Sequence, residues 1–381
     1  MARTNGSTTA TARKSPAGAN GRATAAPSRI EQLRAQLAER GLDGILVTHL
    51  PHVRYLSGFS GSAGLLLVTR RDAAFITDFR YQEQIAEELS ADVRGFIDRA
   101  PFELMKREGL VGEGMAIGFQ EGYTSVASLD SLKKRLRRVR FEKTGDLLQS
   151  LVMIKSDKEI ASIRKAAGIA ARVYAEILEI VEPGMRESDV AAEISYRGRC
   201  HGAEADAFEI IVASGPRGAL PHGRASTRKI RRGELVTLDF GYRYDGLHSD
   251  MTRTFAVGEP SAEARAIYEI VLRAESMGVK AARAGMSAKA LDDVCRDEII
   301  AAGYGEQFGH STGHGLGIEV HETPFISARG EAQILAPNMV VTIEPGIYLP
   351  GRCGVRIEDD VVIGEGRSKS LTTAPKELII V

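Results

Sequence analysis

Cysteine is scarce in this chain: only Cys200, Cys295 and Cys353 occur, odd in number and far apart. That usage fits neither a disulfide framework nor a thiolate zinc site, and a reducing, cytoplasmic setting is expected. No run of about 18 apolar residues is present, which excludes a membrane-spanning helix. Net charge is missing as well: 50 Lys and Arg balance 50 Asp and Glu, for a pI near 7.1. Without a global field, neither nucleic acid nor an anionic membrane is an expected partner. What the chain has is length. At roughly 100–200 residues per domain, its 381 residues divide into two domains that can each bury a core.

Residues 1–28 are small and polar, with no acid before Glu31, and a disordered tail is expected there. Their Arg, Ser and Thr content resembles a transit peptide, but an apolar helix face is lacking. Order is expected from Arg29, where Ile30, Leu33 and Leu37 recur at helical spacing and Gly41 stops the helix. Apolar runs at 44–49, 64–69, 73–78 and 115–120 read as strands, and 81–89 and 124–138 as helices. This alternation predicts an α/β domain over 29–150. The basic run at 133–138 reads as a solvated helix face.

A long helix is predicted over 156–181, with Ser156 as N-cap, Asp157 and Glu159 in the first turn, and Pro183-Gly184 closing it. Another follows at 187–200. Strands are predicted at 209–213, 234–241 and 248–257, helices at 261–284 and 287–302, and strand regions around Glu344 and Glu358. The second domain, 151–381, therefore reads as α+β.

Chemistry concentrates in this second part. In LVTLDFG, period two puts Val236, Leu238 and Phe240 on one face and Thr237 and Asp239 on the other. The segment YRYDG turns the chain, and in LHSDMTRTF Asp250, Thr252 and Thr254 share a face. A hairpin would set Asp239 beside Asp250, and two such carboxylates repel unless one is protonated or a cation lies between them. Both facing water is the alternative. Thr342 and Glu344 in VVTIE, and Arg356 and Glu358 in VRIEDD, repeat the pattern. Glutamates in apolar strands are costly to bury unless paired or metal-bound. Four of the eight histidines lie in two Gly-punctuated segments, His222 in PHG and His310, His314 and His321 in GHSTGHGLGIEVHE. Four acids and an imidazole form a hard, oxygen-rich ligand set suited to divalent Mn, Co, Fe or Zn. Bridging carboxylates suit two ions about 3.5–4 Å apart, which together activate a water and polarise a carbonyl. No GxSxG elbow, P-loop or dinucleotide fingerprint competes.

The order of Asp239, Asp250, His314, Glu344 and Glu358 resembles that of the pita-bread metallopeptidases, in their Xaa-Pro aminopeptidase and prolidase branch. The stretches PHGRAS, LVTLDFGYRYDGLHSDMTRTF, GHSTGHGLGIEVHE, TIEPGIY and VRIEDDV carry the likeness. VRYLSGFSGSAG and TDFRY add a weaker one to a creatinase-type leading domain. The resemblance implies an α/β creatinase-type N-terminal domain followed by an α+β pita-bread catalytic domain. It implies two divalent ions, Mn first, with Asp239 binding one, Asp250 and Glu358 bridging, and His314 and Glu344 completing the set. Glu344 would also take the proton of the attacking water, while His222 and His321 stabilise the oxyanion. His310 would sit in the substrate pocket, and Tyr348 and Arg356 would orient acids and substrate.

The implied activity is removal of an N-terminal residue preceding proline, in a homodimer or homotetramer acting on proline-containing peptides. Dipeptidase action on Xaa-Pro is the alternative, because the leading domain is shorter than in the larger bacterial aminopeptidases P. A catalytically dead scaffold and a metal-free creatinase-like hydrolase fit less well, since every metal-binding acid is present. Phe208, Tyr304 and Phe325 read as core residues.

Overall fold

The structure, a computed structural model, describes residues 27–381. The expected tail thus lies outside the described residues except for Pro27 and Ser28, and Ser28 caps the first helix. That helix, Arg29–Glu39, starts with a capping box between Ser28 and Glu31 and buries Ile30, Leu33 and Leu37. It covers a six-stranded sheet in the order Arg94–Ile97, Ala73–Thr77, Leu65–Thr69, Gly44–Val47, Ala116–Phe119, Arg140–Lys143. The inner strand Gly44–Val47 is wholly buried, as its unbroken apolar run requires. It pairs antiparallel with Leu65–Thr69 and parallel with Ala116–Phe119.

Both edge strands escaped the sequence reading because they are short, largely exposed and without apolar alternation. Three short helices were also missed: Leu50–Ser57, Pro101–Arg107 and Leu147–Met153. Leu50–Ser57 directly follows the central strand, opens with a proline in its first turn and ends at Gly58 in the left-handed region.

The long helix runs Asp157–Leu178, with the predicted Ser156 cap closed into a box by Glu159. Its apolar face packs with helix Glu187–Cys200 against Val236, Leu238, Phe240 and Phe255. These belong to a three-stranded sheet in which Glu234–Phe240 lies between Ile211–Ser214 and Met251–Val257. A second helix pair, Ala262–Ala281 and Ala288–Ala301, packs against Val341, Ile343, Val355, Ile357 and Val361. Each apolar strand face is thereby covered by helices, and the acidic faces are turned away from both helix pairs.

Three predicted strands are interrupted, each at an acidic residue. Residues 340–344 pass from the strand Val340–Ile343 to Gly346–Leu349 across Glu344 and Pro345. Residues 355–360 divide into Cys353–Arg356 and Asp359–Val362, with Glu358 at the break. The inner pieces pair together in a five-stranded sheet and the outer pieces in a two-stranded ribbon. Likewise, Leu247–His248 pairs with Tyr242–Tyr244 across an Asp245-Gly246 turn, leaving Asp250 before the strand Met251–Val257. The amides freed at these breaks bond to distant segments: Glu344 N–H to Thr312 O (2.7 Å), Glu358 N–H to Thr252 O (3.1 Å). Asp250 N–H donates to the Asp360 carboxylate (3.1 Å).

Candidate active site

Register sets the first two acids. Asp239 lies opposite Thr252 and Thr237 opposite Thr254, and the two threonine hydroxyls bond at 3.1 Å. Asp250, two residues before Thr252, joins the same face. His314 comes from the short strand Gly313–Gly315. Its Nδ1 bonds Gly315 O at 3.0 Å, which leaves Nε2 toward the acids, 3.5 Å from Glu344 and 3.8 Å from Asp250. Ligand atoms of Asp250, His314 and Glu358 all lie within 4.8 Å of one another.

Three of the four acids are also held from outside. Arg356 Nη2 donates to Asp239 Oδ2 at 2.5 Å, Thr252 Oγ1 to Glu358 Oε2 at 2.7 Å, and Thr342 Oγ1 to Glu344 Oε1 at 3.4 Å. One oxygen on each of Asp239, Asp250 and Glu358 nevertheless stays buried without a hydrogen-bond partner. Native interiors rarely tolerate such groups, and a divalent cation satisfies all of them together. Burial and the neighbouring carboxylates hold Asp250 and Glu358 well above the usual carboxylate range. Burial pushes Glu344 up to about 8, and it lowers His314 to about 4, helped by His321. The imidazole is therefore neutral at pH 7 with a free lone pair, as a metal ligand must be. Donor chemistry, unpartnered oxygens and charge repulsion all fit a divalent metal site.

A hydrogen-bonded chain runs behind the acids. His310 Nε2 bonds Tyr348 OH at 2.8 Å, and Arg356 Nη1 donates to that hydroxyl at 2.9 Å while its other nitrogen holds Asp239. His321 and His222 are exposed. The His321 ring lies 4.3 Å from that of His314, and His222 follows Pro221, whose carbonyl accepts from Arg356 Nη1 at 3.2 Å. All ten residues singled out from the sequence thus converge on one site.

Several contributors were not legible in advance. Arg253 is fully buried; it donates to Glu358 O at 2.6 Å and Asp359 Oδ1 at 2.8 Å. Asp292 and Arg296, one helical turn apart, pin the carbonyls of Phe308 and His310 and the amide of Thr312. Glu187, buried at the start of its helix, binds Ser214 and Ser226 on either side of the segment carrying His222. Apart from the apolar i, i+4 context around Asp292, no local pattern marks these charges as buried. Phe325, read as core, is exposed. In the leading domain, His52 bonds Gln120 through Nδ1 at 2.6 Å and keeps a buried Nε2 without a partner.

The metallopeptidase family M24 model matches residues 161–365, more than half of the chain, and a creatinase/prolidase N-terminal domain matches 29–154. An Xaa-Pro dipeptidase of Pyrococcus horikoshii is 40% identical over 92% of this chain and 98% of its own length. The structure of an Xaa-Pro dipeptidase from Bacillus anthracis superposes with a TM-score of 0.88 at 43% identity, covering 92% of this chain and 99% of that one. An X-Pro aminopeptidase from Thermotoga maritima gives 0.86 at 38%, covering 93% and 100%. Matched along nearly its whole described length in both sequence and fold, the chain belongs to metallopeptidase family M24, with a creatinase/prolidase-type domain leading its pita-bread catalytic domain.

Proposed function

We propose that this metallopeptidase is an Xaa-Pro dipeptidase whose five ligands, Asp239, Asp250, His314, Glu344 and Glu358, hold two divalent ions, Mn foremost and Co, Zn or Fe as substitutes. The sequence alone places aminopeptidase action first; the names of the relatives move dipeptidase action ahead of it. The observation that carries the metal reading is the set of three buried carboxylate oxygens without partners around a neutral imidazole. When bound, the ions polarise the scissile carbonyl and lower the pKa of a water.

The protein's own groups do the rest. Glu344 takes the proton of the attacking water at a carboxylate oxygen and delivers it to the prolyl nitrogen, which has no N–H of its own and leaves only once protonated. His222 and His321, both exposed, donate to the carbonyl oxygen as charge develops on it. The chain His310–Tyr348–Arg356 orients Asp239 and borders the substrate. Cysteine usage supports a cytoplasmic setting, and the family resemblance supports a homodimer or homotetramer.

Hydrolysis of Gly-Pro, Gly-Pro-Pro and an Arg-Pro-Pro peptide by metal-stripped protein, with and without Mn, tests the proposal. Mn-restored cleavage confined to Gly-Pro is expected. Cleavage of the longer peptides would instead favour the aminopeptidase reading, which the Thermotoga relative supports. Inactivity on all three with every divalent ion would sink both.

A further inference from the structure

The segment that ends at His321, GHGLGIEVH, is rich in glycine, and past its strand at Gly313–Gly315 it is anchored by buried Leu316 and Ile318 and by the Leu316 amide on Val340 O at 3.0 Å. Two acids tie it down. Glu322 accepts from Lys155 Nζ at 2.7 Å, with both side chains nearly fully buried, and from the Glu319 amide at 3.0 Å. Glu319 reaches the other way, into the N-terminal domain. Its Oε1 bonds His49 Nε2 at 3.0 Å and its Oε2 accepts from Tyr123 OH at 2.8 Å.

The two partners form a platform. Their rings stack with centroids 3.7 Å apart and 21° between planes. His49 and Tyr123 follow the adjacent parallel strands Gly44–Val47 and Ala116–Phe119. Gln120 joins the two by accepting the amides of Thr48 and His49 at 3.3 and 3.4 Å.

We infer that Glu319, clamped by His49 and Tyr123 of the N-terminal domain, is a positioning residue that sets the placement of His321, two residues on, against the scissile carbonyl. The inference rests on the reading of His321 as a donor to that oxygen. It gives the leading domain a part in catalysis. A side chain released by even about 1 Å can cost up to about a hundredfold in rate while binding is preserved.

Tyr123→Phe and Glu319→Gln, which keep size and shape, are compared with the wild-type full chain loaded with Mn on Gly-Pro, or on Gly-Pro-Pro if only longer peptides are cleaved. The expected result is a kcat lowered by about tenfold for Glu319→Gln and less for Tyr123→Phe, with KM within about twofold. Metal content and Tm stay at the wild-type values. A cycle with His321→Ala decides the route: Glu319→Gln should have little further effect once His321 is gone. Equal losses in both backgrounds, or an unchanged kcat in Glu319→Gln, would overturn the inference while leaving His321 catalytic. Full activity of His321→Ala would instead remove the catalytic reading of His321, and the inference with it.

Discussion

The two halves of the molecule bury different things. Among the described residues up to 154, the buried polar side chains are His52, Gln120, Ser57 and threonines, and none carries a formal charge, since burial holds His52 near 4. From Lys155 onward, buried charges include Glu187, Asp239, Asp250, Arg253, Glu358 and Asp359. The first sheet is held by apolar burial on uninterrupted strands, in a core that also takes in Leu316, Ile318 and Val340. The second half interrupts its strands at Asp250, Glu344 and Glu358 and leaves one carboxylate oxygen unsatisfied on each of Asp239, Asp250 and Glu358. The carboxylates that cost stability there are the ones the chemistry would use, so the local cost and the chemistry have one origin.

This contrast is most sharply broken at Asp250. Asp250→Ala should lower kcat/KM by about a thousandfold or more while the protein stays folded, measured alongside bound metal by mass spectrometry. Retained activity with full metal occupancy would detach the buried acids from catalysis. Next in size, Arg253→Met removes the cation that faces Asp359 and the Glu358 carbonyl. It should destabilise by about 3–5 kcal/mol in urea titrations. The matching change in the first half, Leu66→Ala in a fully buried apolar position, should cost about 2–5 kcal/mol and leave kcat within about twofold.

A subtler difference is in the response to pH. Glu344 is raised by burial to about 8 and Glu275 by burial and Asp359 to about 7, both from 4.5. Below about 6.5 the buried histidines, lowered to about 4, oppose this effect; above it the raised acids leave the folded, metal-free protein with more protons than the unfolded chain. Its stability should fall as pH rises from about 6.5 to about 8, and saturating Mn should flatten that slope. Denaturation midpoints at both ends of that window, with and without Mn, check the sign; a metal-free midpoint that rises across it would contradict it.

Which parts of this were readable in advance follows from how far each signal reaches along the chain. Alternation within seven residues is local, so the shared face of Thr237 and Asp239 and that of Asp250 and Thr252 were legible. Capping is local too, and Ser156 with Glu159 starts its helix where expected. The breaks at Glu344 and Glu358 were not legible, because Thr312 and Thr252, which receive the freed amides, are distant in sequence. Nor could Arg253 be separated from a solvated strand arginine, since its burial depends on Asp359 and the carbonyls of Ala374 and Pro375. The strands Arg94–Ile97 and Arg140–Lys143 lacked a pattern because a sheet edge buries little.

The most direct test is calorimetric titration of metal-stripped protein with Mn at neutral pH, for the wild type and Asp250→Ala, with melting curves of the same samples. Two ions bound per wild-type chain, a raised Tm and impaired binding in Asp250→Ala are the predicted result. A wild-type chain that binds no divalent ion, or binds it without gaining stability, would contradict the claim that the buried carboxylates are assembled around metal.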